Sequence, residues 1–508
     1  GSFYAELAEC LEERKVYGPA EGFYKKAADL RPMLAAPRTG LGMLYLRLGD
    51  EKQGRDLLTK AFDADPFNVR VANSLKVLKH LDDYETIQTP HYELRFNPKT
   101  DKVLAAFLAE YLEETHAELK RQFGYEPPDR VLIEVFSTHE MFSGRTVGLP
   151  DLHTIGACTG KVVAMASPKA KGLTKPFNWG RVLRHELTHI FNLAQTDFLC
   201  PHWLTEGLAV RNENMARPPA WTTVLRGRLA DDTLFNLDTV MLGFVRPKDQ
   251  EEWSLAYCQS QLYVEYLIKT HGEASVGRLL EAYKAGMDTT AALKTLGIDK
   301  AAFETGYRAY GEDVVRPFRG KPMAGDDEKP LTFAELEAAH AKDPDDPDLS
   351  ARLADQYARR NKAADARKLA DAALVAKKGH PLAAVVKARL LSRAGDDNAA
   401  KDVLRDALAA HPDEPKLLSA LGRLHLDAKE YDAAAKLFEH GRAVAPLDGD
   451  WLEQLARLYK AADQPDKLIG VLREVIAGDP DELDGRLRLA KVSLDANRPA
   501  DAERWLSA

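Results

Sequence analysis

Cysteine is scarce: four in 508 residues, at Cys10, Cys158, Cys200 and Cys258. No two of them form a Cys-x-x-Cys pair, which argues against a thiolate zinc knuckle, and a disulfide framework has no support. Long apolar runs are also missing, and none approaches the roughly 18 residues that a membrane-spanning helix needs. There is no excess of positive charge. Lys and Arg number 70 against 78 Asp and Glu, a net charge of −8, so the basic footprint of a nucleic-acid binder is lacking. The chain opens Gly1-Ser2 without a methionine, which reads as a cloning scar, and a natural leader could have preceded it.

What is present is globular. Hydrophobic residues make up 45% and charged residues 29%, and the length suits about three domains. The two ends carry a repeat. Pro32 and Pro66 are 34 residues apart, and Pro347, Pro381, Pro412, Pro446 and Pro480 follow at intervals of 34, 31, 34 and 34. A 34-residue period is that of stacked helix–turn–helix units, which bury one another's apolar faces. Leu421-Gly422, Ala434, Phe438 and Pro446 occupy the positions of close approach, groove filling and termination in one unit. Leu455-Ala456, Tyr459, Leu472 and Pro480 repeat them in the next, and Gly42, Tyr45, Leu58, Ala61 and Pro66 fall on the same frame at the front.

Between residues 89 and 320 the period disappears. His91–Phe96 alternates like a strand, and Val103–Phe123 reads as a long amphipathic helix with Leu104, Phe107, Leu108, Tyr111, Leu112 and Leu119 on its apolar side. Val131, Ile133 and Val135 alternate again, and Lys161–Ser167 reads as a strand closed by Pro168. This is a mixed α+β module, strands early and helices late. The polar, Gly- and Pro-bearing stretch 320–327 reads as a linker. The chain thus divides into 1–88, 89–320 and 333–508.

One segment of the middle module, His185-Glu186-Leu187-Thr188-His189, concentrates the chemistry. On a helix its two imidazoles lie one turn apart and about 40° around the axis, so both can reach one metal ion. Glu186 lies beside them, placed to touch a water on that ion without being a ligand. Leu183, Leu187, Ile190 and Ala194 form the core stripe, and Arg181, Thr188 and Asn192 a polar side next to the two histidines. A catalytic zinc takes three protein ligands and leaves a position open. In His202-Trp203-Leu204-Thr205-Glu206-Gly207-Leu208-Ala209, Glu206 interrupts an apolar face, which is costly unless a positive charge is near. A metal supplies that charge; a surface glutamate or a salt bridge to Arg211 is the alternative.

His185-Glu186-x-x-His189, with sixteen residues before Glu206 in Trp203–Ala209, resembles the gluzincin metallopeptidases. More closely it is similar to the peptidase-MA-like modules found beside tetratricopeptide repeats in bacterial proteins. The 34-residue units resemble those repeats. The resemblance implies a mainly α protein with a central thermolysin-like α+β domain and repeat arrays on both sides. It implies one zinc ion on His185, His189 and Glu206, with Glu186 as general base in peptide hydrolysis. It also implies a substrate-accepting strand just before the active helix, the position of Val162, Val163, Ala164 and Met165, and an oxyanion donor on a later helix, for which Tyr257 is the candidate. Some gluzincins place an Asp four residues after the ligand glutamate, where this chain has Val210, so the partner of the first histidine must come from elsewhere. Glu213 shares a face with Glu206 and is one candidate for that partner, but reads as a solvated surface glutamate. His202, one turn before Glu206, reads as a loop histidine; as a fourth ligand it would close the site.

The partners expected are a protein or peptide substrate and a protein held by the repeats, with no nucleic acid. The competing reading is a scaffold with a silent peptidase-like domain. The resemblance leans towards a bacterial periplasm or cell envelope.

Overall fold

The structure is a computed structural model that describes residues 1–150, 152, 154–173, 175–318, 331–479, 481 and 483–507. The expected linker at 320–327 and Pro480 lie outside the described residues. The chain forms two compact units, Gly1–Arg217 with Val224–Val314, and Pro218–Thr223 with Val315–Ala508.

The first unit opens with five helices, α1 (Ser2–Glu13), α2 (Tyr17–Leu30), α3 (Ala35–Leu48), α4 (Glu51–Ala64) and α5 (Val69–Leu81). They pair as the repeat pattern requires. At the α3–α4 crossing a Cβ on Gly42 would sit 2.8 Å from Leu58 Cγ, so only glycine lets the helices approach. Asp50 accepts the Gln53 amide at 3.0 Å and caps α4, a contribution of about 1 kcal/mol.

Then come β1 (Glu85–Gln88), β2 (Tyr92–Phe96), α6 (Lys102–Phe123), β3 (Val131–Thr138), α7 (His139–Val147), β4 (Gly156–Cys158) and β5 (Val162–Lys171). The five strands make one sheet in the order β1-β2-β3-β5-β4. β2, β3 and β5 run parallel, with β1 and β4 antiparallel at the edges. β5 does not stop at Pro168 as expected but continues to Lys171. The pairing with β3 shifts register between Phe136 and Thr138, and such an irregularity tolerates a residue without an amide hydrogen. On α6 the buried line is Ala105, Leu108, Leu112 and Leu119, whereas Phe107, expected on that face, is 60% exposed.

A buried ion cluster ties the repeats to the sheet. Glu134 of β3 is fully buried; its Oε1 lies 3.2 Å from Arg95, and its Oε2 makes a poorly aligned ion pair with Arg145 Nε at 2.6 Å. Arg95 also pairs with Glu51 of α4, and Arg145 donates to the Leu46 carbonyl of α3 at 3.0 Å. Removing one partner of such a cluster costs about 3–5 kcal/mol, because a buried charge is left uncompensated.

The rest of the unit is helical: α8 (Trp179–Gln195), α9 (His202–Asn212), α10 (Pro219–Ala230, of which this unit holds Val224 onward), α11 (Val240–Val245), α12 (Gln250–His271), α13 (Ala274–Lys284), α14 (Thr289–Thr295) and α15 (Lys300–Val315). Strands early and helices late is the order expected, in a mainly α chain. A Cβ on Gly207 would meet the Ser260 carbonyl oxygen at 2.2 Å, so glycine sets how closely α9 lies on α12.

The second unit is a run of helical hairpins from Phe333–Lys342 to Pro499–Ser507. Phe438 and Ala434 are fully buried, and a Cβ on Gly422 would meet the Phe438 ring at 2.3 Å. Pro347 and Pro381 open helices, at the first helical position where the missing N–H costs nothing; Pro412 and Pro446 lie in the turns between hairpins. A groove of about 690 Å³ on this unit is lined by Arg352, Asp355, Arg389, Arg423 and Trp451 among others. Among the described residues, no helix is long and apolar enough to cross a membrane.

Candidate metal centre

α8 starts where Asn178 accepts the Arg181 amide at 3.0 Å, and Leu183, Leu187 and Ile190 bury its apolar stripe as expected. The side expected to be polar is largely buried too. Thr188 and Asn192 are fully buried and His189 is 6% exposed, because α9 covers that side. The histidines avoid the apolar stripe yet are not surface residues.

His185 Nε2 lies 3.2 Å from His189 Nε2 and 3.4 Å from Glu206 Oε2, and His189 Nε2 lies 3.6 Å from that oxygen. Tetrahedral coordination at about 2.0–2.2 Å places ligand atoms roughly 3.3–3.6 Å apart, the spacing of this triangle. The outer nitrogens of both rings are engaged. Glu213 Oε1 lies 2.8 Å from His185 Nδ1, and its Oε2 lies 2.7 Å from Arg181 Nη1. Thr205 donates its hydroxyl to Asn192 Oδ1 at 2.8 Å, so its oxygen accepts from His189 Nδ1 at 2.7 Å. Each ring therefore carries a proton on Nδ1 and, when neutral, turns a lone pair on Nε2 towards Glu206 Oε2, a buried oxygen with no hydrogen-bond partner. Three acceptors this close repel one another unless a cation or a proton stands among them. The donor set fits a zinc-type ion.

Charge within the cluster follows its geometry. Burial disfavours the charged form of His185, but the Glu206 and Glu213 carboxylates beside it and the Glu186 charge carry its pKa up to about 10. His189 falls to about 4, chiefly through burial. Burial pushes Glu206 upward, yet His189 and His185 hold it well below the carboxylate range. Glu186, 7% exposed, is raised to about 7 by burial against the attraction of His185. Arg211, the other partner considered for Glu206, pairs instead with Glu273.

Glu213 corrects the sequence reading: it is a half-buried partner of His185 rather than a solvated glutamate. Its position two turns from Glu206 on the same face was the available signal. Val162, Val163, Ala164 and Met165 correct it as well. They are buried in β5, which pairs with β3 on one side and β4 on the other, so they offer no free strand edge. The edge beside α8 is β4, whose three residues are too few for an alternation signal. Ile155 and Thr159 bond inward to Ala166 and Val162, so by antiparallel alternation the backbone groups of Gly156 and Cys158 face away from β5. Gly156 borders Glu186 so closely that a Cβ would sit 2.6 Å from its Oε1.

Tyr257 lies on α12 and packs edge-on against Phe244 and Trp253, each ring at 4.8 Å. Burial, then the charges of Glu206, Glu186 and Glu213, raise its hydroxyl well above the phenol range and keep it a donor. His202 begins α9; its ring packs on Phe244 at 5.0 Å, and its Nε2 faces the other Glu206 oxygen, Oε1, at 3.6 Å. Among the described residues it is not part of the three-atom cluster. Burial pushes the Cys158 and Cys258 thiols up to about 12, so neither is a ready nucleophile.

The Peptidase MA superfamily model matches residues 170–312. This segment is a Peptidase MA domain. The match begins inside β5 and stops within α15, so it takes in α8, α9 and Tyr257 but not the first four strands. A tetratricopeptide repeat model matches residues 391–458, and such repeats serve protein–protein interaction. No curated relative matches the chain significantly. Similar solved structures include YrrB, a TPR protein with an unusual peptide-binding site, at 16% identity and TM-score 0.30 over 34% of this chain and 90% of that one. A thermophilic TPR protein of Thermus thermophilus is 21% identical at TM-score 0.29 over 32% and 89%, and MamA of Desulfovibrio magneticus RS-1 is 20% identical at 0.28 over 32% and 91%. The chain therefore joins a peptidase-like domain to helical repeats.

Proposed function

We propose that the Peptidase MA domain is a zinc-dependent peptidase acting on proteins or peptides, with the repeats recruiting or gating substrate. One observation carries this reading: two imidazole lone pairs and an orphaned carboxylate oxygen converge at ligand spacing, and each ring is held from behind by Glu213 or Thr205. A scaffold has no use for that arrangement.

His185, His189 and Glu206 would hold the ion. When bound, zinc lowers the pKa of a coordinated water and polarises a peptide carbonyl. Glu186 accepts a proton from the attacking water and returns it to the leaving amine. Its burial beside Gly156 keeps its proton affinity near neutrality, as that shuttle requires. Tyr257 donates its hydroxyl to the developing oxyanion. An extended substrate adds its backbone to the outer edge of β4, the sheet edge that borders Glu186, and displaces the Thr154 hydroxyl from the Gly156 carbonyl.

A cleavage profile on a proteome-derived peptide library, with metal content measured in parallel, tests the reading. Glu186→Gln should retain one zinc per centre and lose about 10²–10⁴-fold in hydrolysis. Unchanged hydrolysis, or a purified protein that takes no zinc on these three residues, favours the scaffold instead.

A further inference from the structure

The first repeat hairpin is fastened to two turns beside the metal centre. Tyr17, at the start of α2 and buried, donates its hydroxyl to the Thr159 carbonyl in the turn between β4 and β5 at 2.9 Å. Its ring packs edge-on against Phe198, in the turn between α8 and α9, with centroids 5.2 Å apart. The two turns also meet each other, since a Cβ on Gly160 would sit 2.2 Å from the Phe198 ring. Thr159 donates its own hydroxyl to the Arg47 carbonyl of α3 at 2.8 Å. Residues next to Tyr17 are thereby carried to the cleft between β4 and α9.

Two residues before Tyr17 stands Lys15, in the tight turn between α1 and α2. Its amide donates to the Glu12 carbonyl at 2.8 Å, the Val16 amide donates to the Leu11 carbonyl at 2.9 Å, and Lys15 itself has φ 59°, so the backbone from which the side chain leaves is fixed. Lys15 is half-buried, and among the described residues its ammonium has no ion-pair or hydrogen-bond partner. A charge drawn part-way out of water without a partner is costly. That charge acts on Glu186, His189 and His202 and on the thiols of Cys158 and Cys200. These groups come from α8, α9, β4 and the turn before α9, the elements that bound the cleft.

Charge balance indicates what belongs beside the ammonium. With a divalent ion on His185, His189 and Glu206, the ion and Lys15 bring three positive charges against one negative charge each on Glu186 and Glu206, because Arg181 balances Glu213. One negative charge is missing, and on a peptide it is a carboxylate.

We propose, on the peptidase reading, that Lys15 binds a carboxylate of the peptide substrate, so that the first repeat hairpin supplies part of the site. The carboxylate is the C-terminus of the substrate or an acidic side chain near the scissile bond; both present the same acceptor to an ammonium.

Paired peptides test this on the full chain. In one set the twins differ only in a free or amidated C-terminus, and in the other only in Glu or Gln at one position, scanned along the peptide. In one of the sets the zinc-loaded wild type should favour the carboxylate twin by about 10–100-fold in kcat/KM, chiefly through KM, and that set identifies the source. Lys15→Met should bring the ratio to about one with zinc content unchanged, and Lys15→Arg should restore most of it. In parallel, fluorescence anisotropy follows binding of the same twins without cleavage. Glu186→Gln should hold the carboxylate twin more tightly, and Glu186→Gln with Lys15→Met should hold both alike. Twins treated alike by the wild type and by Glu186→Gln, or a preference that survives Lys15→Met in either assay, overturn the role of Lys15. A chain that binds with a Lys15-dependent preference but cleaves no peptide keeps the carboxylate site and removes the peptidase reading, so the two fail separately.

Discussion

Glu213 Oε1 lies 2.8 Å from Nδ1 of His185, and Arg181 holds the other oxygen of that carboxylate at 2.7 Å. The pair fixes which face of the imidazole looks at Glu206. Glu213→Gln keeps the shape but replaces an obligate acceptor with an amide that can present either group. Zinc affinity should fall about 10–100-fold, read by competition with a chromophoric chelator, while the fold survives. An unchanged affinity would show that His185 needs no orienting partner.

Thr205 does the corresponding work for His189. Thr205→Val is nearly isosteric but strands the His189 Nδ1 proton and Asn192 Oδ1 in a buried place. Urea denaturation should show a loss of about 1–3 kcal/mol, and zinc binding should weaken as well. Thr205→Ser, which restores the hydroxyl, should recover most of both.

Gly156 faces Glu186. In Gly156→Ala the new Cβ falls 2.6 Å from Glu186 Oε1 and 2.7 Å from Val182 Cγ1, so the flexible carboxylate moves rather than the fold. A displacement of about 1 Å can cost up to 10²-fold in rate, so kcat should drop by that order with zinc content unchanged. Loss of zinc instead would mean that the strand supports the ligands rather than the base.

Zinc uptake should release protons. In the ion-free chain His185 titrates at about 10 and is protonated at neutral pH, whereas His189 at about 4 is already neutral and Glu206 is ionised. The ion competes with the His185 proton, so affinity should rise about tenfold per pH unit between pH 7 and 9 and flatten above the His185 pKa. Calorimetry in buffers of different ionisation enthalpy counts that proton. A flat affinity over the same range contradicts the assignment.

How much of this was legible depended on distance along the chain. The four-residue spacing of His185 and His189, the carboxylate inside an apolar helix at Glu206, and the glycines at 42 and 422 are local signals. Glu213 was visible as a position two turns from Glu206, but its pairing was not, because that depends on Arg181 and His185 arriving from another helix. The strand edge was misread for a similar reason. β5 is the stronger apolar run because it lies inside the sheet, and β4, three residues long, leaves almost no pattern while occupying the edge.

By itself the sequence determined the helical repeats and the pairing of two imidazoles on one face of α8, since both follow from periods of a single helix or hairpin. Only the tertiary structure decided which oxygen faces those rings, what holds each ring from behind, and which strand forms the sheet edge beside α8. Those relations join residues on different elements, and their distances are set by how α9 docks on α8 and α12 and by the order of strands in the sheet, neither of which is written in any local period.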